Sequence, residues 1–308
     1  MWKFNFHGLD RDALIRSNSK ELKQLKYSDQ KFLLIFNEKL QVLMATDGYH
    51  PINGHMQADV PSAHHWIYLG KTNIDNKKNA TPWFCTKVES NQFELSFHQQ
   101  WIDLRLVLAQ ITEPYASTMA YGKALLHWHR EHAFCGRCGH SNFFHMAGHE
   151  RYCESCERSI FPRTDPAIIV SVTYQDRLLL ARQSSWPDKR YSVLAGFVEP
   201  GESFEQAVVR EVKEESNLNV HKCEYIGSQP WPFPCSIMIG FNAEAKNTNF
   251  ELLDDELEKA LWVTPKELEQ QVKSKQLKLP TEGSISFALI ERWARSHSLN
   301  LDKLLTHD

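Results

Sequence analysis

Short apolar runs separated by polar turns dominate the first 125 residues, and longer alternating runs follow residue 164. Residues 31–44 (KFLLIFNEKLQVLM) predict an apolar strand, a turn near residues 37–39 and a second strand. Residues 65–70, 83–88 and 93–97 have the same strand-sized character. Residues 101–110 and 116–132 show helical spacing instead, with Ala120, Ala124, Leu125 and Trp128 on one face. Beyond residue 164, AIIVSVTY (167–174) and RLLLAR (177–182) flank a short polar turn and predict a hairpin. Residues 191–194 lead into a third strand, 204–215 form a helix, and 225–228 and 236–245 are strands again. Short helices over 265–272 and 284–296 complete an α+β pattern, a mixed sheet with packed helices. No repeat of 20–50 residues is visible.

Composition narrows this picture. A chain of 308 residues, 42% hydrophobic and 24% charged, has ample core for two or three domains and is not disordered. With 35 basic and 38 acidic residues the formal charge is -3, so whole-chain electrostatics does not advertise nucleic acid. A local basic groove stays open. The first twenty residues lack the apolar stretch of a secretory signal, and no run approaches the ~20 residues of a membrane helix. The expectation is a cytoplasmic protein with no membrane partner.

The seven cysteines change the reading in one region. Cys135 and Cys138, and then Cys153 and Cys156, form two CxxC pairs separated by 14 residues. Four thiolates fill the tetrahedral shell that zinc prefers, so the expected metal is one structural Zn²⁺ per chain. Gly136 and Gly139 let the backbone fold around it. Chance pairs in a reducing compartment are the competing account. Cys85, Cys223 and Cys235 lack such partners and read as packing residues. The predicted organisation is an α+β domain over 1–125, a zinc ribbon over 126–163 and a second α+β domain over 164–308.

The chemistry concentrates in GFVEPGESFEQAVVREVKEESNL, residues 196–218. On the 204–215 helix, Phe204, Ala207, Val208 and Val212 would face the core. Glu211, Glu214 and Glu215 converge on one face, where like charges repel unless a hard divalent cation takes their oxygens. Arg210 is placed to orient Glu202 or another carboxylate. Taken alone, the three glutamates also fit a solvated acidic face. A second unusual string, Gln229-Pro-Trp-Pro-Phe-Pro-Cys-Ser236, carries three prolines in five residues, which favour a stiff extended path over strand pairing. Trp231 and Phe233 between them offer flat walls for a base, and a rigid plug over a core is the alternative.

Gly196, Glu202, Arg210-Glu211, Glu214-Glu215 and Leu218 resemble the Nudix box, Gly-x5-Glu-x7-Arg-Glu-U-x-Glu-Glu-x-Gly-U, with U aliphatic. Asn217 stands where the box ends in Gly, a position that calls for a left-handed residue, and Asn is the next-best occupant. The SQPWPFPxS string, the four-cysteine ribbon just ahead and FPRTDP at 161–166 are similar to the NADH pyrophosphatase branch of that superfamily. The similarity covers 120–295 well, and the first hundred residues correspond loosely to that branch's Nudix-like N-terminal domain.

The resemblance implies a Nudix fold and hydrolysis of NAD(H) to NMN(H) and AMP, with removal of NAD caps from RNA. It implies catalytic Mg²⁺ or Mn²⁺ held by Glu211, Glu214, Glu215, the Ala195 carbonyl and Glu256. On the same resemblance Glu211, Glu214 and Glu215 would carry the chemistry. Substrate would be bound by Gln229, Pro230, Trp231, Pro232, Phe233, Pro234, Cys235 and Ser236, with Phe197 stacked on the nicotinamide. Ser286 matches a backbone contact, Phe161 a position that is often Tyr, and Arg105 an N-terminal arginine. The branch habitually forms homodimers. Two other functions fit less of the sequence: a Nudix hydrolase of ADP-ribose or a similar diphosphate, and a nucleotide-sensing, nucleic-acid-binding module. The 229–236 string argues against the first and the intact glutamates against the second.

Overall fold

The computed structural model describes residues 2–5, 8–28, 31–46, 48–51, 65–72, 80–253 and 256–305. The chain divides into two compact units. One holds Lys3–Thr164 together with Trp231–Cys235, and the other Met1–Trp2, Asp165–Pro230 and Ser236–Asp308.

In the first unit, strands β1 (Leu9–Asp10), β2 (Phe32–Phe36), β3 (Val42–Ala45), β4 (Ile67–Thr72), β5 (Thr81–Lys87) and β6 (Gln99–Ile102) form a mixed sheet. Their order is β1-β4-β5-β2-β3-β6, with β2 parallel to β5. Helix α1 (Ser19–Lys26) starts at Asn18, whose side chain accepts from the Glu21 N–H. The period of two separates the faces. Leu34, Phe36, Met44 and Cys85 pack on Met119, Ala120 and Leu125 of helix α2 (Tyr115–Glu131), while Leu33, Ile35, Leu43 and Phe84 form a second cluster.

Two expectations fail here. Residues 93–97 are not a strand, and Phe97 is almost fully exposed; the strand lies at Gln99–Ile102. Residues 101–110 are not a helix. Pairing with β3, Val42 opposite Ile102, captures the start of that stretch, and successive turns follow, Leu106 N–H on Asp103 and Gln110 N–H on Val107. The helical spacing was real because those turns bury Leu104, Val107, Leu108 and Ile111 together.

A three-stranded antiparallel sheet, β7 (Phe143–His145), β8 (Glu150–Cys153) and β9 (Arg158–Ile160), closes this unit.

The second unit is a three-layer α+β fold. Strands β10 (Asp165–Tyr174), β11 (Arg177–Arg182), β12 (Leu194–Phe197), β13 (Val220–Trp231), β14 (Ser236–Ala245) and β15 (Lys259–Val263) form one sheet, in the order β13-β14-β10-β11-β15 with β12 also on β10. The predicted hairpin is the antiparallel β10–β11 pair, and β14 runs parallel to β10. Helix α3 (Phe204–Ser216) covers Ile168, Val170 and Phe241 on one face with Ala207, Val208 and Val212. Helices α4 (Pro265–Lys273) and α5 (Ile285–Ser296) cover the other, where Leu268, Leu289, Ile290 and Trp293 meet Ile169, Leu178 and Leu180. A short α6 (Asp302–Leu305) follows.

Phe204 does not join the core; it is 42% exposed, and the buried stripe starts at Ala207. The proline-rich string is also not the unpaired path expected. Strand β13 runs through Pro230 to Trp231 and turns back over 232–235 into β14. Because β13 is an edge strand, the amide that Pro230 lacks interrupts no interior ladder.

Candidate metal and nucleotide site

Helix α3 is fixed at both ends. At its start Gln206 N–H donates to Ser203 Oγ at 3.3 Å and Ser203 N–H to Gln206 Oε1 at 2.8 Å. At its end Asn217 adopts φ 56° and ψ 10°, and its N–H donates to Lys213 O. That left-handed residue is the one place where the box departs from Gly, and the asparagine takes the conformation the position demands.

Between those ends Arg210 gathers the acidic groups. Its Nε and Nη2 donate to the two oxygens of Glu202 at 2.7 and 2.9 Å, a bidentate pair. Nη1 donates to Glu211 at 2.9 Å and Glu214 at 2.8 Å, and Nη2 also reaches the Phe197 carbonyl at 2.8 Å. The guanidinium, with the Glu199 N–H, holds the Glu202 carboxyl down to about 2. Burial pushes Glu211 the other way, and the charges of Glu214 and Glu256 add to the rise after the opposing Arg210 contribution. Glu215 is buried, at 3% exposure.

The Glu211 carboxylate lies directly against Gly196, so that a Cβ there would overlap it. Glycine is therefore required on β12 by this close approach. Ala195, opposite Ile169 of β10, precedes it, and Phe197, 61% exposed, follows. Glu256 accepts from Gln183 Nε2 at 3.1 Å. The second unit thus brings Gly196, Glu211 and Glu214 together around Arg210, with Glu256 in electrostatic reach of Glu211, while Ala195 adjoins Gly196 in β12 and Glu215 lies one turn beyond Glu211 on α3. Clustered carboxylate oxygens are the donors that a hard divalent cation takes, so these residues fit such a cation.

The remaining sequence-predicted residues divide between the units. In the second, Ser286 is the second residue of α5, 7% exposed, its hydroxyl 2.5 Å from that of Ser192. Gln229 is fully buried, and its amide bonds the start of α5. Pro230 is exposed on β13, and Ser236 is buried at the start of β14. In the first unit, Pro232, Pro234 and Cys235 form the turn that carries Trp231 and Phe233. Those two rings stand edge to face, 5.0 Å apart at 70°. The Arg105 guanidinium lies 5.9 Å from each centroid, and Lys123 Nζ 5.5 Å from that of Phe233. Phe161, 54% exposed, follows β9.

Sequence reasoning missed Lys123 and Gln183. Lys123 had a visible signal, a lysine inside the apolar stripe of α2; its ammonium donates to the Leu40 carbonyl at 2.8 Å, and burial lowers its pKa. Gln183 had none, since its proximity to Glu256 comes from the pairing of β11 with β15.

The four cysteine sulfurs lie within 4.8 Å of one another, with Cys138 and Cys153 3.5 Å apart. A tetrahedron with Zn–S bonds of ~2.3 Å places sulfurs about 3.8 Å apart, so the cluster could hold zinc. Backbone amides aim at the thiols. Those of Arg137 and Cys138 lower Cys135, and that of His140 holds Cys138 down to about 5. Amide donors of this kind favour the thiolates a metal needs at Cys135 and Cys138, whereas burial raises Cys153 and the neighbouring Cys138 thiol raises Cys156.

The family model for the NUDIX domain matches residues 162–281, and that for the NADH pyrophosphatase-like rudimentary NUDIX domain matches residues 18–128. The chain belongs to the Nudix superfamily. Among its relatives, the human NAD-capped RNA hydrolase NUDT12 is 33% identical over 247 residues, 74% of this chain and 53% of the relative. The NAD-capped RNA hydrolase NudC of Stutzerimonas stutzeri strain A1501 is 40% identical over 163 residues, 53% of this chain and 59% of the relative. That of Pseudomonas fluorescens strain Pf0-1 is 38% identical over 191 residues, 62% and 66% respectively. The chain spans between about half and two thirds of the length of these curated relatives. Nudix hydrolases depend on metal. Among the described residues, no helix is long and apolar enough to cross a membrane.

Proposed function

We propose that this Nudix chain hydrolyses the pyrophosphate of NAD(H) to NMN(H) and AMP, and removes the NAD cap from RNA 5′ ends to leave a 5′-monophosphate. The observation that carries the reading is the acidic end of α3: Glu211, Glu214 and Glu215, with Arg210 binding Glu202, Glu211 and Glu214 and Gly196 making room for Glu211. Relatives named NAD-capped RNA hydrolases support the substrate class.

Glu211, Glu214, Glu215, the Ala195 carbonyl and Glu256 would hold Mg²⁺ or Mn²⁺. Bound there, such a metal supplies a Lewis acid for the phosphoryl oxygens and lowers the pKa of bound water. The chain's own groups do the positioning. Arg210 holds Glu202 ionised, opposes the burial that raises Glu211, and fixes where their oxygens point. Trp231 and Phe233 offer apolar surface to a base, and Phe197 to the nicotinamide. Arg105 presents a guanidinium to phosphate, and Phe161 and Ser286 complete the substrate contacts, with Gln229, Pro230, Pro232, Pro234, Cys235 and Ser236 shaping them. Zinc at Cys135, Cys138, Cys153 and Cys156 would be structural, since four thiolates leave no open position.

The same reading divides the chain into a rudimentary Nudix domain over 1–125, a zinc ribbon over 126–163 and a catalytic domain over 164–308. It places the protein in the cytoplasm as a homodimer. Incubating the full chain with NADH, NAD⁺ and NAD-capped RNA, with Mg²⁺ or Mn²⁺, and quantifying released NMN tests it. Release from none of the three would refute it.

A further inference from the structure

Gln229 begins the proline-rich string, and yet its side chain is 0% exposed. Its Oε1 accepts the backbone N–H of Ile285 at 2.7 Å, and its Nε2 donates to the Gly283 carbonyl at 2.9 Å. One planar group thus meets a donor and an acceptor of the same short peptide, which a carboxamide does and a carboxylate or an alkyl chain does not.

We infer that Gln229 is a positioning residue, a clamp that seats the first turn of α5 on β13 and so holds Ser286, rather than a substrate contact. This rests on the NAD(H) reading for the role given to Ser286; the clamp itself rests on geometry. The clamped peptide is held on its other sides too. Ser284 Oγ accepts the Phe287 N–H at 3.2 Å and donates to Thr281 O at 2.7 Å, and the Ser286 hydroxyl meets Ser192 at 2.5 Å. The Ile285 side chain sits so close over Gly240 of β14 that a Cβ there would come within 2.8 Å of its Cδ1. Ile285 is 1% exposed, so without Gln229 its N–H has no water to turn to, and the turn must shift to satisfy it.

Two variants of the full chain separate this clamp from general packing. Gln229→Met keeps the length and removes both hydrogen bonds. Gln229→Glu is conditional: protonated, its C=O accepts from Ile285 and its O–H donates to Gly283, restoring both bonds; ionised, it turns lone pairs toward the Gly283 carbonyl. Burial raises the pKa of such a carboxyl, which brings the change into a workable pH range.

With the parent as reference at each pH, Gln229→Met should raise the KM for NADH about tenfold, the order of one buried hydrogen bond, with a smaller change in kcat. The deficit of Gln229→Glu in kcat/KM should shrink about tenfold from about pH 8 to about pH 6, while that of Gln229→Met stays level. Hydrogen exchange at the Ile285 amide gives a readout independent of turnover. Its protection should be lost in Gln229→Met and regained by Gln229→Glu on acidification, relative to the parent. Parent-like KM in Gln229→Met, or a Gln229→Glu deficit that ignores pH with unchanged exchange at Ile285, overturns the clamp. Should Gln229→Met fail to fold, the acidified Gln229→Glu protein still decides. A parent that releases no NMN from NADH refutes the NAD(H) reading instead, and exchange at Ile285 then judges the clamp alone.

Discussion

At Gly196 the Glu211 carboxylate takes the space that any side chain would need. A Cβ there would occupy the place of the Glu211 carboxylate. Gly196→Ala should therefore displace Glu211 while leaving the apolar stripe of α3 intact. We expect a folded protein whose kcat falls on the order of 10²-fold, the scale of one electrostatic contributor. Circular dichroism and steady-state kinetics check both halves, and unchanged turnover would mean that Glu211 does not need its present position. Arg210 shows what the sequence could and could not say at this scale. Its placement beside the glutamates was legible from the helix period. Its reach to the Phe197 carbonyl was not, because that depends on where β12 ends relative to α3.

Elements were legible where their local signals agree. Helix α3 has a capping box, a regular apolar stripe and a left-handed terminator, and its bounds follow from those residues. The 93–110 stretch has no such agreement. Its spacing suggested a strand and then a helix, and pairing with β3 moved the strand by several residues. Asn217 tests the terminator directly. Asn217→Ala should cost about 1 kcal/mol of stability, because alanine resists the left-handed region, whereas Asn217→Gly should stay within a few tenths of the parent. Urea denaturation distinguishes them, and equal stability of all three would mean that the backbone there tolerates any residue.

The ribbon carries a second expectation at this scale. Protein purified under reducing conditions should contain about one zinc per chain, and its removal should lower the melting temperature, because binding at a closed site is coupled to folding. Metal analysis that finds no zinc would contradict the ribbon.

For the whole molecule, the sequence showed that two chemistries are present but not where the proline-rich string belongs. Trp231–Cys235 is part of the unit formed by Lys3–Thr164, and Phe233 packs on its core beside Phe4 and Lys123. No local pattern could reveal that, since the contacts span more than a hundred residues of sequence. Two roles of Phe233 should consequently appear together. Phe233→Ala should lower the melting temperature and also raise the KM for NADH roughly tenfold, within the range of a base stacked on an aromatic ring. A small unrelated diphosphate serves as the control substrate. Equal proportional losses on both substrates would leave Phe233 a purely packing residue.

On the proposed reading, the acidic end of α3 drives cleavage of the NAD pyrophosphate. The most direct measurement is NMN(H) released from NADH by the parent and by Glu215→Gln, at saturating Mg²⁺ or Mn²⁺. The substitution keeps the size of a buried side chain and removes its charge. We expect metal-dependent release by the parent and a loss of roughly 10²–10³-fold in a normally folded variant. Turnover by Glu215→Gln within about threefold of the parent, far short of that loss, would contradict it.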